Sequence, residues 1–275
     1  MKAPSFAYAK PRTLEEAFPL LERPGARILA GGQSLIPSLN MRLSTPQLLV
    51  DIGGLARLKD ISHQPGGLRI GALVTHTEIE RSLDVKINVP LLAEAAPHIA
   101  HPAIRNRGTL GGSLALADPA AEYPACALAL NATLILQGRK AERRVSASTF
   151  FKGLFETDIR PGEILVAAEF PKVDRSVFLE LTRRHGDYAI VGLAAAARSS
   201  GKGLADVRLA YFGVGDTPVR AKKAEAALAA GDIDAAVGAL DLDPNDDVQA
   251  TAKTKKHLAG VLLRRVATQL MEARG

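Results

Sequence analysis

The sequence predicts an α+β protein, and three observations lead to this fold class. The chain has 275 residues, which fits two domains of ordinary size or one large domain. Up to about Pro171, short apolar runs alternate with glycine-rich turns and helical patterns. Beyond that point, strand patterns come first and helical patterns follow as a block, which is typical of a small α+β domain. We therefore expect domains at 1–172 and 173–275, with the boundary near residues 171–174.

In the first domain, turn residues separate the predicted strands from the predicted helices. The expected strands are 27–30, 48–52, 68–73 and 133–136, and the expected helices are 35–43, 91–100 and 119–130. Thr75 and Glu78 are spaced as in a capping box, in which two side chains satisfy backbone donors where a helix begins. Turns are expected at 31–34 and 109–113, and both are rich in glycine.

The second domain is predicted to contain a three-stranded sheet and helices. The expected strands are 178–182, 189–197 and 207–214, and the expected helices are 219–230, 234–240 and 247–274. In the last helix, apolar residues recur with a helical period, which predicts a buried face. That face comprises Leu258, Val261, Leu262, Val266 and Leu270.

Bulk composition argues against several classes of protein. No apolar run has the length of a transmembrane helix, and the first residues lack the apolar stretch of a signal peptide, so a cytoplasmic protein is expected. Cys126 is the single cysteine, which excludes an internal disulfide and an iron–sulfur cluster held by this chain. Its apolar surroundings favour a small buried side chain over a nucleophile. No cluster of His, Cys and acids has the spacing of metal ligands.

The net charge of +6 raises the question of nucleic-acid binding. The basic residues are scattered in short groups, and aromatic residues make up only 4% of the chain, so stacking platforms for bases are scarce. A bound diphosphate or an acidic partner protein accounts for the charge equally well. We therefore expect no nucleic-acid partner.

The first glycine loop is Ala30-Gly31-Gly32-Gln33-Ser34-Leu35, between a predicted strand and a predicted helix. Paired glycines allow positive φ and close approach of a ligand, and the helix start offers free N–H groups to an anion. Ser34 can either cap the helix or bind an oxygen. The loop is neither a Walker loop nor a Gly-x-Gly-x-x-Gly fingerprint. Taken alone, an ordinary tight turn explains it equally well.

The second loop, Arg105-Asn-Arg-Gly-Thr-Leu-Gly-Gly-Ser113, has the same chemistry. Two loops rich in N–H groups could converge on the two phosphates of a dinucleotide, with Thr109 and Ser113 supplying hydroxyls. Arg105 and Arg107 add positive potential in this interpretation, although at least one of them is expected to be a solvated surface residue. Asp118 and Glu122 are expected to be helical neighbours in the first turn after the loop. Acids there favour the helix dipole, and one of them could accept hydrogen bonds from ribose or ribityl hydroxyls.

At this point the residues resemble a known family. Residues 30–37, Ala-Gly-Gly-Gln-Ser-Leu-Ile-Pro, are similar to the first FAD-binding motif of the medium, flavoprotein subunits of molybdenum hydroxylases, the family of the carbon monoxide dehydrogenase medium subunit and of the xanthine dehydrogenase flavin domain. Residues 101–122 resemble the second motif, residues 183–191 a third segment near the isoalloxazine, and residues 250–265 the C-terminal helix. The chain departs from the motifs at Gln33, where His is common, and at Ser113, where Asn is common.

The resemblance implies a vanillyl-alcohol-oxidase-like (PCMH-type) FAD-binding domain, with subdomains of about 1–54 and 55–172, and a C-terminal α+β domain. It implies one non-covalent FAD, with the diphosphate between the two glycine loops, Glu122 on FAD hydroxyls, and Ile99, Ala100, Leu165 and Tyr188 near the flavin. The full set of expected cofactor-binding residues is Leu29, Ala30, Gly31, Gly32, Gln33, Ser34, Leu35, Ile99, Ala100, Thr109, Gly111, Gly112, Ser113, Asp118, Glu122, Leu165 and Tyr188. No catalytic acid, base or nucleophile is expected, because the flavin itself carries the redox chemistry.

The resemblance also implies partners. The 2Fe-2S clusters would lie in a small subunit and the molybdopterin cofactor in a large subunit, in a dimer of heterotrimers, with this chain passing electrons from the clusters to an external acceptor. Neither the organic substrate nor the acceptor follows from the sequence. Two alternatives stay open: a stand-alone FAD-dependent oxidoreductase of the same fold, and a non-catalytic nucleotide-binding module.

For other residues, simpler roles are expected. His76 is predicted to be structural, and His98 and His101 are expected to flank a turn without metal partners. His185 is equally compatible with the surface and with the vicinity of the flavin. The alternative for Tyr188 is a tyrosine packed in the core of the C-terminal sheet.

Overall fold

The computed structural model describes residues 2–201 and 203–272. Sheets of three, five and four strands organise this part of the chain, together with a short two-stranded hairpin. The strands are β1 (Ala7–Ala9), β2 (Ala26–Leu29), β3 (Leu48–Asp51), β4 (Ile61–Gln64), β5 (Gly67–Gly71), β6 (Thr133–Gln137), β7 (Glu142–Ser146), β8 (Phe151–Gly153), β9 (Glu156–Thr157), β10 (Ile164–Pro171), β11 (Arg175–Leu181), β12 (Val191–Ser200), β13 (Gly203–Phe212) and β14 (Val219–Arg220).

Most helices are short and connect or cover these strands. They are α1 (Leu14–Leu21), α2 (Leu35–Asn40), α3 (His76–Arg81), α4 (Leu83–Asn88), α5 (Pro90–Ala95), α6 (Pro102–Arg105), α7 (Leu110–Leu116), α8 (Glu122–Ala129), α9 (Ala147–Phe150), α10 (Lys222–Ala229), α11 (Ile233–Gly238) and α12 (Ala252–Glu272), with 3-10 turns at Ala56–Leu58 and Ala96–His98. The predicted capping box is present, since Thr75 accepts from the Glu78 N–H and Glu78 bonds back to the Thr75 N–H.

The first sheet is parallel, with the strand order β1-β3-β2. Its carboxyl edge is formed by the ends of β2 and β3, where the first glycine loop leaves β2. The apolar residues of β3 and of α1, among them Val50 and Phe18, pack against the five-stranded sheet. In open parallel sheets, ligands bind beyond the carboxyl ends of the strands, so this packing places the first loop where a ligand is expected.

The five-stranded sheet is antiparallel, in the order β4-β5-β10-β6-β7. Its centre is β10, a strand that the sequence patterns did not indicate. A register shift between Leu165 and Ala167 changes which face the side chains of β10 occupy. Leu165 therefore lies in the core shared with α7 and α8, whereas Val166 and Ala167 face the first sheet.

The C-terminal sheet is antiparallel, in the order β11-β12-β13-β14, with one strand more than the three that were predicted. Residues 219–220 were assigned to a helix, but they pair with Ala210 and Tyr211 of β13, and the helix begins only after Ala221. One sheet face packs under α12 and the other lies on the first domain. Side chains alternate between these two faces because successive residues of a strand point in opposite directions.

Several helix boundaries also differ from the predicted ones: α2 ends at Asn40 rather than at residue 43, and α5 ends at Ala95 rather than at residue 100. The predicted turn at 109–113 is the start of α7. Helix α8 begins at Glu122 rather than at residue 119, because Ala117 adopts left-handed φ and the Asp118 side chain accepts the Ala120 N–H in a turn. Helix α12 begins at Ala252 rather than at residue 247, because Asp247 accepts the N–H groups of Gln249 and Ala250. The predicted end of this helix at residue 274, like the chain end at residue 275, lies outside the described residues.

Candidate functional site

The first glycine loop presents a row of backbone N–H groups. Within the described residues, no hydrogen-bond acceptor is found for the N–H groups of Gly31, Gly32, Gln33, Ser34 or Leu35. The loop turns at Gly32, whose φ is +75°, a value that side-chain-bearing residues rarely adopt. Successive free N–H groups at a loop and helix start form a site for an anion. The loop can therefore hold a phosphate.

The polar side chains of the same loop have separate roles. Gln33 folds back and donates from Nε2 to the Gly31 carbonyl at 3.0 Å, which holds the loop in shape. Ser34 occupies the N-cap position of α2, but its hydroxyl makes no capping hydrogen bond, and the residue is exposed. Of the two predicted roles of Ser34, the structure therefore contradicts helix capping. The hydroxyl can instead bind a ligand oxygen.

The second glycine loop differs from the first in the hydrogen bonding of its backbone N–H groups. Here the backbone donors in the first turn of α7 already have acceptors: the Leu110 N–H donates to the Val74 carbonyl, the Gly111 N–H to the Ala72 carbonyl, and the Gly112 N–H to Thr109 Oγ1. Thr109 is therefore a buried helix N-cap, and its hydroxyl oxygen is engaged. The two loops therefore differ in their free N–H groups, although their sequences are alike. The Ser113 hydroxyl, one residue further on, has no partner in the described part of the chain.

The two loops nevertheless touch. A Cβ built on Gly31 would lie 2.0 Å from the carbonyl oxygen of Arg107 and 3.0 Å from the α-carbon of Gly108. On the far side, a Cβ on Gly111 would lie 2.4 Å from that of Ala72, just beyond β5. Glycine at both positions allows the first loop, the second loop and the five-stranded sheet to pack in succession. The structure therefore brings the two candidate loops together, with the free donors on the first.

The turn before the second loop is held by a buried arginine. Arg105 donates from Nη1 to the carbonyls of Pro97, Ile99 and Ala100 and pairs with Glu80 at 3.1 Å. Ala100 adopts a φ of +43°, and these hydrogen bonds stabilise that strained turn. Arg105 is thus a structural residue, whereas Arg107 is exposed. Arg107 is the arginine that can contribute positive potential.

On the other side of the site, an acid is buried at the start of α8. Glu122 is 8% exposed, and its carboxyl lies close to its own backbone N–H group. Burial, together with the negative charges of Glu180 and Asp118, raises the pKa of Glu122 to about 8. Burial also raises the pKa of Asp118. A carboxyl in this state can bind hydroxyl groups by donating or by accepting a hydrogen bond.

Tyr188 lies beside these acids and is not a core residue. Its side chain is 63% exposed, so the alternative of a packed core tyrosine is wrong. Partial desolvation of its hydroxyl and the charges of Asp118 and Glu122 raise the pKa of Tyr188. Gly186, in the same loop, lies against His101 and the Ala100 carbonyl, so the loop borders the Ile99 and Ala100 turn. These contacts place the Tyr188 loop where the first domain meets the C-terminal sheet.

The remaining expected site residues are apolar or small. Leu29, Ala30 and Leu35 are half-buried around the first loop, and Gly112 and Ser113 are half-buried in α7. Leu165 is 5% exposed, in the central strand β10, against which α7 packs. Ile99 is 9% exposed.

The structure shows the contacts of two histidines, His76 and His98. His76 is buried below Gly108, with its ring edge against Tyr123 at 5.2 Å between centroids, and burial lowers the pKa of His76 to about 4. It is a structural residue under the second loop, in agreement with its place at the capped start of α3. His98 bonds to Glu180 of the C-terminal sheet at 3.2 Å, a contact that no sequence signal indicated.

The arrangement fits FAD. A row of free N–H groups suits a diphosphate, the Ser34 and Ser113 hydroxyls and the Glu122 carboxyl suit its hydroxyl-bearing parts, and the exposed Tyr188 ring is free to contact a ring system. No group of three or more potential metal ligands occurs in 2–201 or 203–272. None of the helices in those ranges is both long and apolar enough to span a bilayer.

Comparisons with known proteins agree along the whole chain. A family model described as the FAD binding domain in molybdopterin dehydrogenase matches residues 4–173. A second one, the CO dehydrogenase flavoprotein C-terminal domain, matches residues 176–270.

Individual relatives align with this chain over nearly the full length of both proteins. The 6-hydroxypseudooxynicotine dehydrogenase complex subunit alpha of Paenarthrobacter nicotinovorans is 40% identical, over 98% of this chain and 96% of that protein. Among solved structures, a chain of carbon monoxide dehydrogenase from Hydrogenophaga pseudoflava superposes with a TM-score of 0.94 at 34% identity, over 98% of each chain. A chain of quinoline 2-oxidoreductase from Pseudomonas putida 86 gives a TM-score of 0.94 at 37% identity, over 99% of each chain.

The loops, the two domain matches and the full-length relatives lead to one conclusion. This chain belongs to the FAD-binding flavoprotein family of the molybdopterin dehydrogenases, with the FAD-binding domain followed by the CO dehydrogenase flavoprotein C-terminal domain.

Proposed function

We propose that this chain is the FAD-binding subunit of a heterotrimeric molybdenum hydroxylase. It takes electrons from a small 2Fe-2S subunit onto FAD and passes them to an external acceptor. The observation that carries the proposal is the contact between the two glycine loops, with five N–H groups on the first that find no acceptor among the described residues. The name of the 40% identical relative, a dehydrogenase complex subunit, supports membership of a complex. A large molybdopterin subunit, a dimer of heterotrimers and a cytoplasmic location complete the proposal.

Within this proposal, the domains extend over 1–172, with subdomains of about 1–54 and 55–172, and over 173–275. The separate sheets of residues 7–51, 61–171 and 175–220 support this division. The cofactor-binding residues are those expected from the sequence, with the diphosphate on residues 30–35 and against Ser113. Thr109 and Gly111 act indirectly, because they fix the start of α7 against the first loop.

Each part of the chain then has a task. The bound flavin supplies the electron-transfer chemistry. The first loop binds and orients the diphosphate, Glu122 holds hydroxyl groups, and the Ile99 and Ala100 turn, kept in place by Arg105, borders the flavin. Tyr188 covers one side of the flavin and limits the access of water. In this proposal the organic substrate is bound in the large subunit.

The proposal is tested by electron transfer between purified subunits. The small 2Fe-2S subunit is reduced chemically, freed of reductant and mixed with this chain, and bleaching of the flavin absorbance is followed. We expect rapid bleaching, and no oxidation of carbon monoxide, an aldehyde, a purine or an N-heterocycle by this chain alone. Turnover of one of these substrates by the isolated chain, without the other subunits, would identify a stand-alone oxidoreductase instead.

Tyr188 provides a second test, at the flavin itself. Tyr188→Ala is expected to change the absorption spectrum, the midpoint potential or the oxygen reactivity of the bound FAD, because an exposed ring beside Glu122 contacts the cofactor. Tyr188→Phe keeps the ring and separates its effect from that of the hydroxyl. If Tyr188→Ala leaves all three properties as in the wild type, Tyr188 does not touch the flavin.

A further inference from the structure

His98 directly precedes the Ile99 and Ala100 turn. It ends the 3-10 turn Ala96–His98, and two residues later the chain adopts the left-handed φ of +43° at Ala100. Within the first domain, Arg105 holds this turn by donating from Nη1 to the carbonyls of Ile99 and Ala100. These bonds lie inside the first domain, so they do not fix the turn relative to the C-terminal domain.

The C-terminal domain contacts His98 through strand β11, whose side chains alternate between two faces. Val177 and Leu179 pack under α12 in the core of the C-terminal domain. On the opposite face, the Phe178 ring lies 5.1 Å from the His98 ring, and Glu180 Oε1 lies 3.2 Å from His98 Nδ1. A carboxylate only accepts hydrogen bonds, so Nδ1 donates this one. The bond therefore joins the C-terminal sheet to the residue beside the turn.

A second segment of the C-terminal domain meets the same histidine. The centroid of the His185 ring lies 6.2 Å from that of the His98 ring, in an edge-on arrangement. His185 belongs to the loop between β11 and β12, which also carries Tyr188. In that loop, a Cβ built on Gly186 would lie 3.0 Å from the Ala100 carbonyl oxygen. The His98 imidazole and the Ala100 carbonyl thus both border the Tyr188 loop.

The Glu180 carboxyl is deeply buried and only half satisfied. Its side chain is 3% exposed, and one oxygen bonds to His98. The other oxygen, Oε2, is buried and has no hydrogen-bond partner within the described residues. Burying such a group costs free energy that one hydrogen bond does not fully offset. Since a buried polar pair is satisfied in only one geometry, it can instead fix the arrangement of the elements that it joins.

We propose that Glu180 and His98 form a positioning pair, which fixes the Ile99 and Ala100 turn and the Tyr188 loop relative to each other. The proposal rests on the proposed function, because these two segments are the ones expected to border the flavin. The pair acts through the turn and the loop and takes no part in the redox chemistry. The C-terminal domain thereby shapes the surroundings of the flavin, although both glycine loops belong to the first domain.

The experiment breaks the pair from each side, with Glu180→Ala, His98→Phe and the double variant. The dissociation constant of FAD is measured by quenching of flavin fluorescence, and the absorption spectrum of bound FAD is compared with that of free FAD. Each single variant is expected to weaken FAD binding about tenfold and to shift the spectrum toward that of free FAD, because the turn and the loop lose their fixed positions. The double variant is expected to equal the single variants, since all three lack the same hydrogen bond.

Conservative variants separate positioning from a loss of packing. Glu180→Gln keeps an oxygen that accepts from Nδ1, and His98→Asn supplies an amide N–H in the place of Nδ1. Both are expected to keep most of the FAD affinity and the wild-type spectrum. Ser176→Ala is the matched control, because Ser176 lies on the same face of β11 and donates to Glu94 of α5 at 3.3 Å. It should change neither property.

The outcomes separate this role from the proposed function. A wild-type chain that binds no FAD would refute the proposed function, and this role with it. If the wild type binds FAD and either single variant keeps its affinity and spectrum, only the positioning role is overturned. Equal losses in Ser176→Ala, or additive losses in the double variant, would overturn it as well. If Glu180→Ala does not fold, His98→Phe decides in its place, because it removes the same hydrogen bond from a partly exposed side chain.

Discussion

Replacing Gly32 with alanine is expected to lower FAD affinity by about two orders of magnitude. Gly32 has a φ of +75°, and in this conformation a side chain costs about 1–2 kcal/mol. Its Cβ would also press on Ile36 and Leu29, at 3.2 Å from each. The loop relieves this strain by rotating its peptides, which turns N–H groups away from the diphosphate. Each hydrogen bond to a charged group contributes about 1.5–3 kcal/mol, so the loss of two accounts for the expected effect.

The measurement is the FAD content of the purified chain, together with the dissociation constant from fluorescence quenching. Gly66→Ala is the control, because Gly66 has a φ of +80° in the β4–β5 turn and an added Cβ would meet nothing within 4 Å. Both variants carry the same backbone strain, but only one lies in the site. Full FAD occupancy in Gly32→Ala would show that the diphosphate is not bound by this loop.

Gly31→Ala should act on the same site by a different route. Here the added methyl group would meet the Arg107 carbonyl at 2.0 Å, so the two loops must separate. The comparison of Gly31→Ala with Gly32→Ala thus distinguishes contact between the loops from the conformation of the first loop.

The FAD-free chain should lose stability as the pH rises toward about 8, and Glu122→Gln should remove much of that loss. The folded state raises the pKa of Glu122 from its ordinary value of 4.5, so the folded protein holds a proton that the unfolded chain releases. The stability this confers is fully present below the ordinary pKa and is lost as the pH rises through the folded pKa. A tenfold change in proton affinity corresponds to about 1.4 kcal/mol, so the free energy at stake is on the order of a few kcal/mol.

The free energy of unfolding is measured in urea between about pH 6.5 and pH 8.5, where Glu122 is the buried group of interest. This pH window lies above the pH range in which the titration of His76 changes the free energy of unfolding. The pKa of His76 is lowered to about 4, so its buried neutral ring favours unfolding only as the pH falls below its ordinary value of 6.5. Glu156→Gln, at an exposed acid in the β9 hairpin, is the control. A wild-type profile as flat as that of Glu122→Gln across the window would contradict the assignment.

Much of the fold and of the candidate site could be predicted from local features of the sequence. The capping box of Thr75 and Glu78, the strand patterns near 27–30 and 48–52, and the amphipathic face of α12 each depend on residues close together in the chain. The first glycine loop is of the same kind, because its free N–H groups follow from a strand, two glycines and a helix start. Periodicity and turn chemistry report such local conformations directly.

Other features could not be predicted from the sequence, because contacts between distant parts of the chain determine them. The second glycine loop resembled the first, but the carbonyls of Ala72 and Val74, which come from the region after β5, occupy its N–H groups. Strand β10 lies at the centre of a sheet whose neighbours come from residues 67–71 and 133–137, and no local pattern shows that pairing. Residues 219–220 form a strand only because β13 offers them an edge.

The sequence by itself determined the family, the two candidate glycine loops and the α+β class, because glycine positions, caps and periodicity are local constraints on the backbone. The tertiary structure decided which loop keeps its donors free, that Arg105 supports the Ile99 and Ala100 turn, and that Glu180 bonds to His98. These outcomes depend on burial and on hydrogen-bond partners far away in the chain. The free energy of a buried polar group is set by what packs against it, and residue order alone does not specify that.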